Sequence, residues 1–195
     1  MEIILKSRIG SMRHKEWDYA AEGYYFVTIC AKGKKDYFGK IKEDKMMMNG
    51  FGKIAEKFWK EIPEHFDFVN LDEFVIMPNH IHGILVTRSI DDNVSGARHC
   101  LARNYPANGT GKACLTPTDG TNGRKFQNQG KGTLSSIVGS YKSACTKAIR
   151  AYKDDFAWQD NFYDRIIRTE KELGNIRRYV IENPLLWDKD EYFHR

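Results

Sequence analysis

The sequence predicts an α+β domain in which antiparallel strands and helices alternate along the chain. Five segments are rich in β-branched and aromatic residues, which is typical of strands. Between and after these segments, apolar residues recur at the spacing of an amphipathic helix. Strands interleaved with helices indicate a sheet with helices packed on it. The chain has 195 residues, 41% of them hydrophobic, which suits one domain with a substantial core.

The first predicted elements are two strands and a helix. Residues 24–30 form a β-branched and aromatic strand, and residues 37–41 are its expected partner. The helix follows, with Asn49 as its cap and Pro63 as its stop. Its apolar positions lie at helical spacing, at Phe51, Ile54, Ala55, Phe58 and Ile62.

A hairpin comes next. Its strands are residues 71–77 and 80–87, because Pro78-Asn79 between them has the composition of a tight turn. After two histidines the second strand is apolar on both faces. We therefore expect this strand to be central in the sheet and covered on both sides.

The C-terminal part predicts a long helix, a strand and a final helix. The long helix carries an apolar stripe made of Leu134, Ile137, Val138, Tyr141, Cys145, Ala148, Ile149 and Tyr152. Residues 162–168 form the strand. The last helix begins at Thr169, since Thr169 and Glu172 form a capping box. It ends near Asn183, because Pro184 disfavours helical geometry in the residue before it.

Composition excludes several classes of protein. No apolar run approaches the roughly 18 residues of a membrane span, and residues 1–6 are too few and too charged for a signal peptide. The four cysteines form no CxxC pair or tight cluster, which disfavours a disulfide framework and fits a reducing cytoplasm. The net charge of +5 is compatible with a polyanionic partner.

Residues 88–131 are predicted to be a flexible basic insertion within a single domain of residues 1–195. The stretch holds seven basic and three acidic residues, so it carries +4 of the net charge of +5. It is rich in Gly, Asn and Thr and has no helical or strand period. A segment of this length without structure is usually functional or disordered. The insertion is either a solvated loop or an arm that contacts nucleic acid.

Two histidines, His80 and His82, stand one residue apart at the start of the second hairpin strand. Side chains alternate along a strand, so both imidazoles point to the same face. Two imidazoles side by side on a rigid strand form half of a divalent-metal site. We expect the pair at a sheet end, where a substrate can reach it. The alternative is two satisfied polar residues beside a hairpin.

Several motifs in a fixed order surround these histidines. They lie at 17–19, 23–30, 71–80, 158–159, 162–168 and 179–184. With His80-Ile81-His82, in which two histidines flank one bulky apolar residue, they resemble the REP-associated tyrosine transposases (RAYT proteins) of the single-tyrosine HUH transposase superfamily. The resemblance covers roughly residues 17–88 and 132–187. It implies a ferredoxin-like, RRM-like antiparallel sheet of the HUH-nuclease type.

The resemblance also implies a tyrosine nucleophile, and two helical tyrosines compete for the role. Tyr141 lies in the middle of an apolar stripe, so its expected role is packing. Tyr179 lies at the edge of its helix's stripe, and Asn183 shares its face four residues on. In the family motif the tyrosine stands just before Asn-Pro, and the amide helps to hold the metal. We predict Tyr179 as the nucleophile, with Tyr141 as runner-up. The predicted metal ligands are His80, His82 and Asn183.

The chemistry that the resemblance implies is metal-dependent cleavage and rejoining of DNA. A phenol, with a pKa near ~10, is a poor nucleophile at neutral pH. A bound cation could polarise the scissile phosphate. Imidazole ligands slightly favour Mn²⁺, whereas the family is expected to work with Mg²⁺ or Mn²⁺. Attack by tyrosine would leave a 5′-phosphotyrosine and a free 3′-hydroxyl.

By resemblance, the substrate is single-stranded DNA whose imperfect palindromes fold into hairpins, and we expect the protein in the cytoplasm with the nucleoid. Basic and aromatic residues together can track and stack on a single strand. The candidates for DNA contact are Arg165, Arg168, Arg177 and Arg178, and those for stacking are Trp158, Phe162 and Tyr163. Trp158 and Phe162 suit a core equally well. One tyrosine per chain is compatible with a monomer or a homodimer.

Two other functions fit the same residues. One is a catalytically silent protein of this fold that binds single-stranded nucleic acid and forms no covalent adduct. The other is a metal-dependent hydrolase built on His80 and His82, which would work without Tyr179. A denaturing gel of protein mixed with hairpin DNA and Mn²⁺ would separate the three functions.

Overall fold

The computed structural model describes residues 22–88 and 132–193. Its strands are β1 Gly23–Cys30, β2 Gly39–Lys42, β3 Lys45–Met48, β4 Val69–Ile76, β5 His80–Thr87 and β6 Tyr163–Ile167. Its α-helices are α1 Gly50–Lys60, α2 Ile62–His65, α3 Leu134–Arg150 and α4 Glu170–Glu182. Short 3₁₀ segments occupy Lys32–Lys34 and Asn183–Lys189. Among the described helices, none is both long and apolar enough to cross a membrane.

Four of the strands form one antiparallel sheet in the order β4-β5-β1-β6. β1 pairs along its whole length with β5 on one side, and along most of it with β6 on the other. With α1 between β1 and β4, and α3 between β5 and β6, this is the ferredoxin-like arrangement that the family resemblance implies. β5 is central, as expected from its two apolar faces. The turn at Pro78-Asn79 joins it to β4, and Met77 N donates to the His80 carbonyl across it at 2.8 Å.

The prediction that residues 37–41 pair with the first strand is wrong. β2 pairs with β3 in a separate two-stranded sheet. The reason is that β5 and β6 occupy both edges of β1, so no edge is left for a third neighbour. Glu43 and Asp44 link β2 to β3 with φ of 49° and 58°, the left-handed geometry that a tight hairpin turn requires.

Helix boundaries follow the predicted caps with two differences. Asn49 caps α1 by accepting hydrogen bonds from the backbone of Phe51 and Gly52. Pro63 does not stop the chain from being helical, because it lies in the first turn of α2, where its missing N–H costs no hydrogen bond. Tyr152 does not belong to the stripe of α3. The helix ends at Arg150 and the Tyr152 side chain is 78% exposed.

The two faces of the sheet have separate hydrophobic cores. Because side chains alternate along β1 and β5, Val27 and Leu85 point to the face that α1 and α3 cover, and Phe26 and Ile84 point to the other. On that second face α4 packs through Leu173, Ile176 and Val180. His80 and His82 have the parity of Ile84, so they lie on the face of α4.

The last turns of the chain return to the sheet. Thr169 caps α4 and accepts from Glu172 N, whereas the Glu172 carboxylate binds Arg168 N rather than closing a capping box on Thr169. α4 ends at Glu182, close to the predicted end. A 3₁₀ helix, Asn183–Lys189, follows directly, with Pro184 in its first turn. Residues 190–193 consequently lie against the start of β5.

Candidate active site at the start of the histidine strand

His80 and His82 lie side by side at the end of the sheet where β5 begins. Their ring centroids are 4.4 Å apart. Across the ladder, His82 faces Thr28 and His80 faces Cys30 of β1. Both imidazoles are 0% exposed, so the expectation of a pair open to substrate is wrong for this structure. The cause is aromatic cover from the C-terminal part of the chain, provided by Tyr179, Trp187 and Tyr192.

Each imidazole ring is held by a hydrogen bond at Nδ1, on the side away from the other histidine's Nε2. Asn79 Oδ1 lies 2.9 Å from Nδ1 of His80, and Thr28 Oγ1 lies 2.8 Å from Nδ1 of His82. The Asn79 amide donates through Nδ2 to two backbone carbonyls, which fixes Oδ1 as its acceptor end. His80 therefore carries its proton on Nδ1 and directs the lone pair of Nε2 forward. Sequence reasoning missed Thr28 and Asn79, although a polar residue opposite a metal-ligating histidine is an expected partner.

The forward nitrogens suit a divalent cation. Nε2 of His80 and Nε2 of His82 are 3.0 Å apart. Burial lowers the pKa of His82 to about 3, and burial together with the neighbouring His82 lowers the pKa of His80 as well. Both rings are therefore neutral near pH 7, which is the form that binds a metal.

Tyr179 on α4 reaches this pair. Its hydroxyl lies 3.2 Å from Nε2 of His82, and its ring packs edge-on against Phe26 with centroids 6.0 Å apart. Burial raises the pKa of Tyr179, and the nearby carboxylates of Asp190 and Glu191 raise it further. The phenol of Tyr179 is therefore protonated while it is buried beside the imidazole of His82.

Tyr141, the runner-up for the nucleophile, lies away from the site. It is fully buried in the core under α1 and α3, on the opposite face of the sheet from His80. Its hydroxyl donates to the Ala55 carbonyl at 3.1 Å. Tyr141 lies at the centre of the apolar stripe of α3, and a side chain in that position points into the core.

Asn183 and Asp190 complete the polar cluster. Asn183 is buried, and its Nδ2 donates to Asp190 Oδ2 at 3.1 Å. Its Oδ1 is buried and has no hydrogen-bond partner among the described residues. Ligand atoms of Asp190, His80 and His82 all lie within 4.8 Å of one another. Asp190 was not predicted, because only the 3₁₀ helix after Pro184 brings it back to the sheet.

Two of the four arginines predicted to contact DNA form ion pairs within the protein. Arg177 binds Asp72 of β4 with two guanidinium nitrogens, at 2.6 and 2.9 Å. Arg165 pairs with Glu172 at 2.7 Å. Arg168 and Arg178 have exposed side chains.

The predicted stacking residues divide between the two faces. Trp158 is buried in the main core and donates to the Lys142 carbonyl at 3.1 Å, and Phe162 packs against the same core. Both therefore serve packing rather than stacking on DNA. Tyr163 lies opposite Thr28 on the face of the site, with its ring 6.5 Å from that of Phe26.

Comparison with known proteins finds relatives by sequence. No family model matches the chain. An uncharacterised protein of Haemophilus influenzae is 38% identical over 185 residues, which are 94% of this chain and 92% of the relative. Another H. influenzae protein, provisionally named a REP-associated tyrosine transposase, is 22% identical over 172 residues, 86% of this chain and 73% of that protein.

A solved structure has the same fold. It is a REP-associated tyrosine transposase bound to a REP hairpin, with a TM-score of 0.54 and 15% identity, and the match covers 93% of this chain and 76% of that one. The resemblance to REP-associated tyrosine transposases is thereby confirmed, and so is the predicted α+β fold with helices packed on an antiparallel sheet. The role of each site residue stays a prediction.

Proposed function

Since this chain belongs to one family with its Haemophilus influenzae relative and resembles the REP-associated tyrosine transposases, we propose that it is a metal-dependent transposase and endonuclease for single-stranded DNA. The observation that carries the proposal is the 3.2 Å distance between the Tyr179 hydroxyl and Nε2 of His82. A phenol, two forward-facing imidazole nitrogens and a buried amide oxygen meet at one sheet end. These are the groups that cleavage through a tyrosine requires.

The metal would be held by His80, His82 and Asn183, with Asp190 as an additional oxygen ligand. The residues fit a cation, because the Asn183 Oδ1 is buried and lacks a partner among the described residues. The nitrogen donors suit Mn²⁺, and the amide and carboxylate oxygens suit Mg²⁺ or Mn²⁺. When bound, such a cation would polarise the scissile phosphate and offset the charge that develops on it.

In the proposed reaction the Tyr179 oxygen forms a bond to phosphorus, and the bond from phosphorus to the 3′-oxygen of the neighbouring nucleotide breaks. The phenolic proton is lost and the 3′-oxygen gains one, so the products are a 5′-phosphotyrosine and a 3′-hydroxyl. One phosphodiester replaces another, so the step is close to isoenergetic and can run backwards onto a new 3′-hydroxyl. This reversibility suits strand transfer better than hydrolysis.

The substrate we propose is single-stranded DNA that folds into hairpins. The fold neighbour is bound to a REP hairpin, and the chain has a net charge of +5. Such a substrate would place the protein in the cytoplasm with the nucleoid, acting as a monomer or as a homodimer.

The test is covalent capture of DNA. The protein is mixed in Mn²⁺ with a hairpin oligonucleotide whose single-stranded flanks are randomised, and the mixture is run on a denaturing gel. The label is at the 3′ end, because the proposed step leaves the 3′ fragment on the protein. We expect a shifted adduct with the natural chain, none with Tyr179→Phe, and an undiminished adduct with Tyr141→Phe. An adduct that survives Tyr179→Phe but not Tyr141→Phe would refute the assignment.

The second candidate is a silent nucleic-acid-binding protein, which the closed, fully buried histidine pair favours. It would bind the hairpin and give no adduct in Mn²⁺ or Mg²⁺. A hydrolase built on the histidines would release product with Tyr179→Phe as well as with the natural chain.

A further inference from the structure

The position of Tyr179 depends on how α4 lies along the sheet. The helix packs on the sheet through Leu173, Ile176 and Val180, which are buried among apolar neighbours. Apolar packing is non-directional, so it holds the helix against the sheet but fixes it only loosely along and about its own axis. The contact of Tyr179 with His82, 3.2 Å between the hydroxyl and Nε2, requires both to be fixed.

Directional contacts tie α4 to both edges of the sheet. At the start of the helix, Glu172 pairs with Arg165 of the edge strand β6. Two residues before Tyr179, Arg177 pairs with Asp72 of the other edge strand, β4. Arg177 Nη2 donates to Asp72 Oδ2 at 2.6 Å, and Nε donates to Oδ1 at 2.9 Å. A guanidinium that binds both oxygens of one carboxylate is fixed in distance and in plane.

A β-bulge gives Asp72 the orientation that this pair needs. The register of the two strands shifts between Leu71 and Phe74, where three steps along β4 match two along β5. Leu71 and Phe74 both pack against the main core although they are three residues apart, and Asp72 turns to the face of α4. Bulges re-aim side chains and are frequent beside active sites. Glu73 N donates to Asp72 Oδ1 at 2.7 Å, so the carboxylate is held by its own strand as well.

We propose that Asp72 is a positioning residue for the nucleophile: through Arg177 it fixes α4 along the sheet and so places the Tyr179 hydroxyl beside His82. The inference rests on the proposed function, since it takes Tyr179 to be the nucleophile. A rise of about 1.5 Å per residue puts Arg177 only about 3 Å from Tyr179 along the helix axis, so a shift at the pair is passed on to the phenol. A displacement of about 1 Å at a reacting group can cost on the order of 100-fold in rate.

This role for Arg177 differs from the predicted contact with DNA. The Asp72 side chain that binds its guanidinium is only 12% exposed. A DNA phosphate would have to displace a carboxylate that Glu73 N also holds. The next residue, Arg178, has an exposed side chain and stays a candidate for DNA contact.

The test separates position from stability. Asp72→Glu keeps the charge of the pair but lengthens it by one methylene, and Asp72→Asn keeps the size and removes the charge. The matched control is Glu172→Gln, which weakens the ion pair at the start of the same helix. Adduct formation in Mn²⁺ is followed with the 3′-labelled hairpin oligonucleotide and a saturating excess of protein, so that binding does not limit the rate. Circular dichroism gives the folded fraction of each variant.

We expect Asp72→Glu to form the adduct at least about tenfold more slowly than the natural chain, although its ion pair and its fold are retained. Asp72→Asn should be slowed to a similar degree, and Glu172→Gln should keep the natural rate. Affinity for the oligonucleotide is measured by anisotropy in a chelator, in the Tyr179→Phe background. All three substitutions should leave it unchanged, because neither carboxylate contacts DNA.

A double variant distinguishes positioning from a direct action of Arg177 on DNA. Arg177→Lys keeps the positive charge and loses the two-point contact. Because Arg177 acts through Asp72, Arg177→Lys combined with Asp72→Asn should be no slower than the slower single variant. Losses of rate that multiply would show that Arg177 acts independently of Asp72, and the inference would be wrong.

A second readout needs no DNA. The protein is labelled with fluorotyrosine, and the fluorine resonance of Tyr179 is identified by its absence from Tyr179→Phe. We expect this resonance to move in Asp72→Glu and Asp72→Asn and to stay in place in Glu172→Gln.

An unmoved resonance in both Asp72 variants would overturn the inference, and so would natural rates of adduct formation in both. A loss of rate no larger than the loss of folded protein would show that the pair only stabilises the fold. A displaced resonance together with no adduct from the natural chain would instead refute the proposed function and leave the positioning of Tyr179 standing.

Discussion

The imidazoles of His80 and His82 are buried, neutral and oriented through Nδ1, and this determines how their removal should act. In such a setting each ring could give its Nε2 to a metal and adds little to the net charge of the core. Loss of one ring leaves a buried partner, Asn79 Oδ1 or Thr28 Oγ1, without its hydrogen bond. That costs about 1–3 kcal/mol, which a domain of this size can tolerate.

We therefore predict that His80→Ala and His82→Ala each abolish metal-dependent adduct formation while the domain stays folded. Mn²⁺ should raise the thermal midpoint of the natural chain, because a ligand that binds the folded state stabilises it, and should not raise that of either variant. Circular dichroism checks the fold. Thr28→Val, which removes only the group behind His82, should weaken metal affinity by about 10–100-fold. Equal stabilisation of His82→Ala and the natural chain by Mn²⁺ would contradict the assignment.

Gly83, the next residue along β5, shows how tightly the histidine strand is packed. A Cβ at this position would clash with the indole ring of Trp59, which is fully buried. A larger residue here would push Trp59 out of its place or shift the strand that carries both histidines.

Gly83→Ala should thus lower the free energy of unfolding by about 1–3 kcal/mol through overpacking. Urea denaturation measures the change. Gly139→Ala is the matched control, because a Cβ there meets nothing within 4 Å and the position lies inside α3. Alanine should stabilise that helix by roughly 0.5–1 kcal/mol. A Gly83→Ala variant as stable as the control would show that Trp59 can move freely.

Among the elements, α4 decides whether nucleophile and metal ligands meet. Its apolar residues fix its packing on the sheet, and the pair of Arg177 with Asp72 ties it to β4 two residues before Tyr179. The Asp72 side chain is 12% exposed, so the pair is partly shielded from solvent. Hydrogen bonding to Arg177 lowers the pKa of Asp72.

The ion pair between Arg177 and Asp72 should make the free energy of unfolding depend on pH in a defined direction. A carboxylate whose pKa is lowered in the folded state stabilises the fold above its unfolded pKa of about 3.9, and the contribution is lost as the pH falls through the folded value. Asp72→Asn should cost roughly 0.5–1 kcal/mol above about pH 5, a modest value because the Arg177 side chain is 43% exposed and solvent screens the pair. The difference from the natural chain should shrink at lower pH. Urea melts at several pH values test this, and Glu56→Gln, which breaks an exposed pair within α1, should cost less.

Elements were predictable where the signal is local. Asn49 and Thr169 cap helices through side chains within three residues of the groups they bind, so the sequence shows both. The partner of β2 was not predictable in this way. Whether a strand edge is free depends on β6, more than a hundred residues further along the chain.

Across the whole molecule, the same contrast between local and long-range signals explains which parts of the site were predicted. His80, His82, Tyr179 and Asn183 were found from motifs, and the fold brings them to one sheet end. The placement of residues 190–193, including Asp190, was missed, because the chain returns to the sheet over a long range and this return has no periodic signature. The burial of the histidines was missed for the same reason, since their cover comes from residues about a hundred positions away.

The insertion predicted at 88–131 lies outside the described residues apart from Arg88, and it remains a prediction for the whole molecule. Thr87 ends β5 and Leu134 begins α3, so the insertion connects two elements that pack on one core. It has no periodic apolar face. Replacing it with a short Gly/Ser linker should therefore leave the thermal midpoint almost unchanged, because loop-closure entropy varies slowly with length.

Binding of DNA should respond differently if the basic residues of the insertion meet phosphates. Each lost contact should then lower the slope of log affinity against log salt by about 0.7 for a single strand. A hairpin oligonucleotide is titrated at several salt concentrations against both chains in the Tyr179→Phe background, which removes the nucleophile from the comparison. A control linker of the same length, in which seven Gly/Ser positions are replaced by basic residues, should restore the slope, since only charge is returned. An unchanged slope with the neutral linker would show that the insertion is a passive solvated loop.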